Sequence, residues 1–581
     1  MWSRTAMIPR LRQATYPLGL VAFVLLLAVF KAVRLTSEMG GGWVRPIALL
    51  GSDAAFLALI FLIALVQGLS RPKWLRGLCW LFLFLLTVVY LVDSFVLLAL
   101  DQHATLFEIG RYVPEWGVVL SFIDASALTA IVLLLVSVFV YAAPTATVKR
   151  IGLILSGVAL LAAVFSSVYT PLPLKRYAML DVGSLLEDRG ERQALAYTAE
   201  EIDFYALVKT EPAAVPVSKP DIILLVVESL SSINSEKLSG QPGLLERFDE
   251  LAEEGVLFKN FFANHQASEG GLIALLGGFP PMHFPTASPY MFDEFALQAS
   301  VIAEYRQQGY FTDFLSNAEL AFIGLDRFLN GLGLDRSRGR DEVEAMRSAP
   351  RVVQDAPSDA WLYREALSSV RQLRVSGQPF FLTLATTSTH LPYSHPEGGP
   401  DTPHAVWDWS MRQLMWFYAQ LAESGFFENG ILLITGDHRQ MRPLSEAEIE
   451  LYGDSARARV PLLVIGKDYP RGRIDDRFFQ QSDLLRMLAR INQPDLPLSP
   501  YPIWVERYNR KYGHIELIDN LGIFDETDQG RHEYRVRVPG NRTEWLGERP
   551  EFARQVELRI HAQRSLHQRK RGSLAHPPVE K

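Results

Sequence analysis

The chain contains one cysteine, Cys79, among its 581 residues. A single cysteine excludes an intrachain disulfide and any zinc site built from several thiolates. Basic residues are not in excess, because 57 Lys and Arg stand against 64 Asp and Glu, for a net charge of −7. A chain without a basic surplus gives no reason to expect a nucleic acid as partner, and we expect none. With 49% apolar and 21% charged residues, the composition also excludes a disordered chain.

Long apolar runs are concentrated in the first 170 residues. About 20 apolar residues are needed to cross a bilayer, and five runs approach this length: Ala14–Val33, Pro46–Leu69, Gly77–Leu100, Ala125–Ala143 and Ile151–Tyr169. We therefore predict a five-helix transmembrane domain over residues 1–170, followed by a connector over 171–219. Lys and Arg cluster at the N-terminus and in the second and fourth loops, which predicts that these segments are inside. The rest of the chain then lies outside the cytoplasmic (inner) membrane, in the periplasm or the extracellular space.

Two acidic residues, Asp53 and Asp93, lie within the predicted spans. An acid inside a membrane can mark an ion path. Both positions are close to the outer boundary of the predicted membrane, and we expect them at solvated helix ends.

Residues 220–500 alternate between short apolar runs and helical patterns. The runs predict buried parallel strands at Ile222–Val227, Thr312–Leu315, Phe380–Leu384, Ile431–Ile434 and Pro461–Ile465. Strand–helix alternation predicts an α/β domain with a mostly parallel central sheet. Beyond it we predict a strand-rich subdomain over 501–550, then a helix and a basic tail over 551–581. Ligands of such sheets bind at the carboxyl ends of the strands, so we expect the functional residues among those that directly follow each strand.

Polar residues follow three of the predicted strands. Glu228 follows the first strand, His390 comes shortly after the third, and Asp437-His438 follow the fourth. A carboxylate such as Glu228 and an adjacent Asp-His pair such as Asp437-His438, at neighbouring strand ends, can form a metal site with oxygen and nitrogen ligands. Each residue alone also fits a structural role, for example an acid at a helix N-terminus for Glu228. Their coincidence at corresponding strand ends favours the metal site.

Ser268 is the candidate nucleophile. It lies in the loop Asn264–Gly271, ahead of the apolar run Leu272–Leu276, and we place it as the N-cap of a short helix. A serine that only caps the helix is the structural alternative. A helix N-terminus also presents amide N–H groups to a phosphate, and a hydroxyl beside a divalent metal becomes a better nucleophile.

In this order, the motifs resemble the alkaline phosphatase/sulfatase superfamily, and within it the membrane-anchored lipoteichoic acid synthase and phosphoglycerol transferase group. The motifs that carry the resemblance follow the five predicted spans and are Pro220–Leu230, Ser268 with Leu275–Gly278 after it, His390–Tyr393 and Thr435–His438. The resemblance implies one divalent metal, Mn²⁺ or Mg²⁺, with four ligands: Glu228, Ser268, Asp437 and His438. It also implies that Ser268 is the nucleophile, and that His390 contacts the substrate phosphate or protonates a leaving group. Arg327 and Asn317 are our further candidates for substrate binding.

Three departures from related groups bear on the chemistry. The resembled group usually has threonine as the nucleophile, and Ser268 supplies the same hydroxyl. Sulfatases that convert a Cys or Ser to formylglycine need a Pro or Ala and an Arg soon after it, whereas Ser268 precedes Glu-Gly-Gly-Leu. Lipid phosphoethanolamine transferases usually carry several disulfides in their outer domains, which this chain cannot form.

The resemblance therefore implies a metal-dependent transferase. It would move a phosphoglycerol group from phosphatidylglycerol in the lipid bilayer to an extracytoplasmic glycan or polymer, through a covalent intermediate on Ser268. Two alternatives stay open at this point. A membrane-anchored phosphodiesterase or sulfatase-type hydrolase would use the same residues with water as acceptor, and a phosphoethanolamine transferase would differ in its donor. A catalytically inactive sensor or scaffold would lack metal ligands, and all four expected residues are present.

Overall fold

The structure is a computed structural model. It describes residues 16–39, 44–70, 72–100, 125–140, 145–169, 216–279, 281, 291–292, 300–493, 505–509, 514–518, 536–538 and 544–545. The predicted connector, apart from its last four residues, and the predicted helix and tail over 551–581 lie outside these ranges. The chain divides into two compact units. The first comprises residues 1–189 with two short segments, 442–449 and 510–512, and the second comprises the remainder.

The first unit is helical. Its long helices are Leu18–Met39, Val44–Ser52, Ala54–Leu69, Lys73–Leu100, Ala125–Ser137 and Ala146–Tyr169. Each predicted span therefore contains a helix, and the second span is divided at Asp53. Among the described residues, two helices are long and apolar enough to cross a membrane, over Leu18–Ser37 and Lys73–Leu98. The other apolar helical stretches are shorter, so the five-span domain stays a prediction.

Asp53 lies between two helices of this unit, and it is buried. Its carboxylate forms an ion pair with Lys31 and accepts a hydrogen bond of 2.6 Å from the Tyr90 hydroxyl. The Lys31 ammonium also lies 5.1 Å from the centre of the Tyr90 ring. Asp53, Lys31 and Asp93 are each only 1% exposed. The expectation of solvated helix ends is therefore wrong for both acids. For Asp53 the physical reason is Lys31, which supplies the opposite charge that a buried carboxylate requires.

An eight-stranded sheet forms the core of the second unit. In chain order its strands are β1 Asp221–Val227, β2 Val256–Phe262, β3 Phe311–Ser316, β4 Arg336–Arg338, β7 Phe380–Ala385, β8 Gly430–Gly436, β9 Leu462–Gly466 and β10 Arg473–Gln480. The two strands numbered between them, β5 Arg351–Val353 and β6 Ala356–Pro357, pair in a separate hairpin. The order across the sheet is β10-β2-β9-β8-β1-β7-β3-β4.

Every pairing in the large sheet is parallel except the two made by β9. The predicted α/β domain with a mostly parallel sheet is thus confirmed. The parallel orientation expected for Pro461–Ile465 is wrong. Leu462 lies opposite Thr435, so β9 begins at the edge where β8 ends and runs back antiparallel to it.

Helices cover both faces of the sheet, which explains why β1 is apolar along its whole length. Ile222, Leu224 and Val226 pack on one face, and Ile223, Leu225 and Val227 pack on the other. The first face is covered by helices Val301–Gln307, Leu325–Leu332 and Gln481–Met487, and the second by Glu246–Leu251, Asp359–Ser376 and Pro403–Glu423.

A four-stranded antiparallel sheet lies within the range predicted to be a strand-rich subdomain. Its strands are β11 Val505–Asn509, β12 His514–Ile518, β13 Val536–Val538 and β14 Glu544–Trp545. The domain boundaries proposed from the sequence stay predictions.

Candidate active site and metal centre

The carboxyl ends of β1 and β8 bring three predicted metal ligands together. The two strands are neighbours, with Val227 opposite Gly436, so the residues that follow them are adjacent. Glu228, Asp437 and His438 each place one ligand atom within 4.8 Å of the other two, and all three side chains are buried. The His438 Nε2 atom lies 3.5 Å from Glu228 Oε1 and 3.3 Å from Asp437 Oδ2.

The end of β1 is held by hydrogen bonds from both neighbouring strands. On the β8 side, the Ser229 amide donates to Asp437 Oδ1 at 2.8 Å, with Ser229 in the left-handed region at φ +60°. On the β7 side, the Glu228 amide donates to Thr386 Oγ1 at 3.1 Å, and the Thr389 hydroxyl donates to the Glu228 carbonyl at 2.7 Å. These contacts leave the Glu228 carboxylate fixed beside Asp437.

Ser268 completes the set of four. It is the first residue of the helix Ser268–Leu272, whose N-cap is Ala267, so the expected N-cap position is wrong by one residue. The reason is that Ala267 is extended, and its carbonyl accepts the first helical hydrogen bond, from the Gly271 amide at 3.1 Å. The Ser268 hydroxyl makes no capping hydrogen bond. Its Oγ instead lies 3.3 Å from Glu228 Oε2 and 3.2 Å from His438 Nε2, which contradicts a purely capping role.

Two glycines after Ser268 allow its helix to approach the metal-ligand residues. A Cβ atom on Gly271 would lie 2.1 Å from the Asp437 carbonyl oxygen. A Cβ atom on Gly270 would lie equally close, 2.1 Å, to Cγ of His265. Any side chain at either position would push the helix away from the loop that carries Asp437 or from His265.

The electrostatics of the site fit a cation. Burial, followed by the nearby Glu228 carboxylate, raises the pKa of Asp437 to about 7. Burial alone would lower the pKa of His438, but the Asp437 and Glu228 carboxylates outweigh it and raise that pKa. Two buried carboxylates that face each other are stabilised by a positive charge between them. Carboxylate, imidazole and hydroxyl groups are also ligands suited to a divalent metal.

His390, after β7, has its ring hydrogen bonds defined by two partners. Its Nδ1 atom contacts the Leu391 carbonyl oxygen, which only accepts, so Nδ1 carries the proton. Its Nε2 atom accepts from the Gln354 side-chain amide at 2.8 Å. Burial, together with the neighbouring His438, lowers the pKa of His390 to about 4. His390 is therefore a neutral imidazole near pH 7, which favours a hydrogen-bonding role over that of a proton donor.

Gln354 is a residue that the sequence reasoning missed. It lies at the turn between β5 and β6, where both Gln354 and the next residue, Asp355, have positive φ angles of 49° and 55°. Asp355 is held there by an ion pair with Arg340. No motif in the sequence marks this turn, because neither residue is a glycine.

The two remaining candidates are placed differently. Asn317 is fully buried and donates to the Pro357 carbonyl at 2.7 Å and to Asp359 Oδ1 at 2.9 Å. Asp359 Oδ1 also accepts from the amides of Thr387 and Ser388, so Asn317 supports the loop after β7. Arg327 lies on the helix Leu325–Leu332, half exposed, with its guanidinium 3.9 Å from the Asp326 carboxylate. Substrate binding by these two residues stays a prediction, and the burial of Asn317 favours a supporting role.

Comparison with known proteins agrees with this architecture. Residues 220–491 match the model of the family described as Sulfatase. This part of the chain is a sulfatase-family domain. Phosphoglycerol transferase I of Xanthomonas campestris pv. campestris is 26% identical over 464 residues, which cover 76% of this chain and 62% of that protein. The predicted resemblance to the sulfatase superfamily and its phosphoglycerol transferase group, and the prediction of an enzyme, are thereby confirmed.

Two solved structures are also similar to part of this chain. A Vibrio parahaemolyticus protein of the alkaline phosphatase superfamily is 20% identical with a TM-score of 0.49, covering 65% of this chain and 97% of that one. The lipoteichoic acid synthase LtaP of Listeria monocytogenes is 17% identical with a TM-score of 0.45, covering 65% and 99%. The chain spans less than two thirds of the length of the Xanthomonas relative, so the activity of the whole relative does not transfer directly.

Proposed function

We propose that the protein is a metal-dependent phosphoglycerol transferase that takes its donor group from phosphatidylglycerol. The observation that carries the proposal is the position of the Ser268 hydroxyl, 3.3 Å from Glu228 and 3.2 Å from His438, two of the three residues that could hold a metal ion. The relatives named phosphoglycerol transferase I support the choice of group.

The residues that would hold the metal are Glu228, Asp437 and His438, with Ser268 as the fourth ligand. A divalent cation there, Mn²⁺ or Mg²⁺, supplies Lewis-acid stabilisation of the phosphoryl oxygens and lowers the pKa of the nearby hydroxyl. The buried pair of carboxylates supports this assignment, because Glu228 raises the pKa of Asp437 and a cation between the two groups would stabilise both.

The proposed reaction has two steps. In the first, Ser268 Oγ attacks the phosphorus of the lipid phosphodiester and gives its proton to Glu228 Oε2, which lies 3.3 Å away. The bond between phosphorus and the diacylglycerol oxygen breaks, that oxygen takes the proton that Ser268 gave up, and glycerophosphate stays bound to Ser268. In the second, a hydroxyl of the acceptor, a glycan or polymer, attacks the phosphorus and displaces Ser268, which regains its proton. Both steps exchange one phosphate ester for another.

Membrane attachment fits this chemistry. The helices Leu18–Met39 and Lys73–Leu100 contain the two candidate spans. An active site attached to the bilayer is exposed to a high local concentration of lipid headgroups. The site and its lipid substrate therefore do not have to meet by diffusion through solution. We propose a multi-pass protein of the cytoplasmic membrane with its N-terminus inside and its sulfatase domain outside.

The test is headgroup release in vesicles. Purified protein is reconstituted with Mn²⁺ in phosphatidylglycerol or phosphatidylethanolamine vesicles, beside Ser268→Ala and the control Ser268→Thr, which retains a hydroxyl. We expect diacylglycerol only from phosphatidylglycerol, from the wild type and Ser268→Thr but not from Ser268→Ala. Substantial turnover by Ser268→Ala would overturn the proposed intermediate.

The products separate the alternatives. A modified acceptor indicates transfer, whereas free glycerol phosphate in the presence of an acceptor indicates a hydrolase. Release from phosphatidylethanolamine would indicate a phosphoethanolamine transferase, and release from neither lipid would indicate a soluble phosphate or sulfate ester as substrate.

A further inference from the structure

Gln481 joins the two segments that carry the nucleophile and two of the metal ligands. It begins the helix Gln481–Met487, directly after β10, and its side chain is fully buried. Its Nε2 atom donates to the main-chain carbonyls of Gly436 and Asp437, both at 2.8 Å. Its Oε1 atom accepts from the Asn264 amide at 3.1 Å. Both N–H groups and the oxygen of this amide are therefore used.

The Asn264 side chain reinforces the same junction. Its Nδ2 atom donates to Gln480 Oε1 at 2.9 Å, and its Oδ1 atom accepts from the Ser482 amide at 2.9 Å. Asn264 begins the segment 264–268, which we call the nucleophile loop because it ends at Ser268. Three hydrogen bonds thus hold the first residue of the nucleophile loop on the start of one helix.

We propose that Gln481 is a positioning residue for the metal centre and the nucleophile. Through Gly436 and Asp437 it fixes the strand end that carries two metal ligands, and through Asn264 it fixes the nucleophile loop. Gln481 thereby maintains the distance of 3.2 Å between Ser268 Oγ and His438 Nε2. The role of Gln481 in the reaction rests on the proposed function, whereas its role in metal binding does not.

The chemistry of the side chain explains why an amide is needed at this place. Two carbonyl oxygens need two donors, and one backbone N–H needs an acceptor, which a glutamine satisfies at once. A glutamate of the same shape has no donor when ionised and places negative charge against both carbonyls. A methionine fills a similar volume but removes one hydrogen bond from each of three buried polar groups. Loss of such outer partners of a metal site typically reduces metal affinity or activity about 10–100-fold.

The test compares Gln481→Met and Gln481→Glu with a matched control that removes a different buried hydrogen bond to the same helix. The control is Tyr305→Phe, which removes a buried hydrogen bond of 2.8 Å from the Tyr305 hydroxyl to the Leu485 carbonyl. Each full-length variant is measured for Mn²⁺ affinity by calorimetry, for kcat and KM of diacylglycerol release, and for melting temperature. A general loss of stability affects all three variants, whereas loss of positioning affects only the Gln481 variants.

We expect both Gln481 variants to bind Mn²⁺ about 10–100-fold more weakly and to lose kcat by a similar factor, with KM for the lipid little changed. Tyr305→Phe should melt at a lower temperature yet keep the Mn²⁺ affinity and kcat of the wild type. If Gln481→Met does not fold, Gln481→Glu, which preserves the shape, provides the comparison.

Gln481 variants with a lowered melting temperature but wild-type Mn²⁺ affinity and kcat would overturn the inference. If the wild type binds Mn²⁺ but releases no diacylglycerol, the proposed function fails, while the affinities still decide the role of Gln481. A wild-type protein that binds neither Mn²⁺ nor Mg²⁺ would overturn both proposals.

Discussion

The substitution Gly271→Ala tests whether the position of Ser268, the proposed nucleophile, depends on the contact between Gly271 and Asp437. The added Cβ would lie 2.1 Å from the Asp437 carbonyl oxygen, 2.8 Å from its carbonyl carbon and 3.1 Å from its Cα. All three atoms belong to the backbone, so no side-chain rotation relieves the clash. Ordinary contact begins at 3.4 Å, and the helix and the loop must therefore separate by about 1.3 Å.

This displacement sets the expected magnitudes. Overpacking of a tight contact costs about 1–3 kcal/mol, and alanine recovers at most about 1 kcal/mol through its higher helix propensity. The net loss of stability is therefore at most about 3 kcal/mol, and we expect the protein still to fold. A displacement of about 1 Å of a reacting group costs about 100-fold in rate. Because Gly271 and Ser268 share one helical turn, we expect kcat to fall by about that factor.

The assay is diacylglycerol release from phosphatidylglycerol vesicles, with the melting temperature recorded for each variant. The control is Gly157→Ala, because Gly157 is also a helical glycine and an added Cβ would meet nothing within 4 Å. The control should retain both activity and stability. A Gly271→Ala variant with a rate near that of the wild type would show that Ser268 does not need this contact, and the geometric argument would be wrong.

Three further predictions address other parts of the molecule. Burial lowers the pKa of His390 from 6.5 to about 4 in the folded state. Between pH 6.5 and pH 4 the unfolded state therefore binds more protons than the folded state. The contribution of His390 to stability is fully present above pH 6.5 and is lost as the pH falls towards 4. A His390→Gln variant should show a weaker dependence of its melting temperature on pH across this window. Gln354→Glu places a carboxylate beside His390 Nε2 and should raise the pKa of His390. NMR titration of labelled histidine measures this pKa, and an unchanged value would contradict the contact between residues 354 and 390. Lys31→Met removes the cation paired with Asp53 and should lower the free energy of unfolding, measured by thermal unfolding, by about 3–5 kcal/mol. The double variant Lys31→Met/Asp53→Leu should recover most of this loss.

The sequence predicted the parts of the fold in which one chemical pattern dominates. Strands β1, β7 and β8 are continuous apolar runs, because helices cover both faces of the sheet. The candidate ligands Glu228, Asp437 and His438 were predicted from the same fact, since parallel strands end at one edge of the sheet. The sequence did not show that β1 and β8 are neighbours, which is what brings the three residues together.

Features that depend on tertiary contacts were not predictable. Strand β10 has the sequence Arg-Ile-Asp-Asp-Arg-Phe-Phe-Gln, which neither alternates nor forms an apolar run, and it is a strand because β2 pairs with it. The direction of β9 depends on the path of the chain after β8. The burial of Asp53 depends on Lys31, which belongs to another helix. In the sequence, nothing distinguishes Gln481 from other polar residues. Its role depends on three partners from two distant segments, which only the structure reveals.

Asp437 contacts three parts of the candidate site. The Asp437 side chain faces the other ligands, while its main-chain carbonyl touches Gly271 and accepts from Gln481. One residue thus relates the metal centre, the nucleophile helix and the helix after β10. Ser268 and Gly271 belong to the same five-residue helix, so the close packing of Gly271 against Asp437 contributes to the position of Ser268. Under the proposed function, position 268 requires a hydroxyl group, which either serine or threonine supplies, whereas position 271 requires the absence of a side chain.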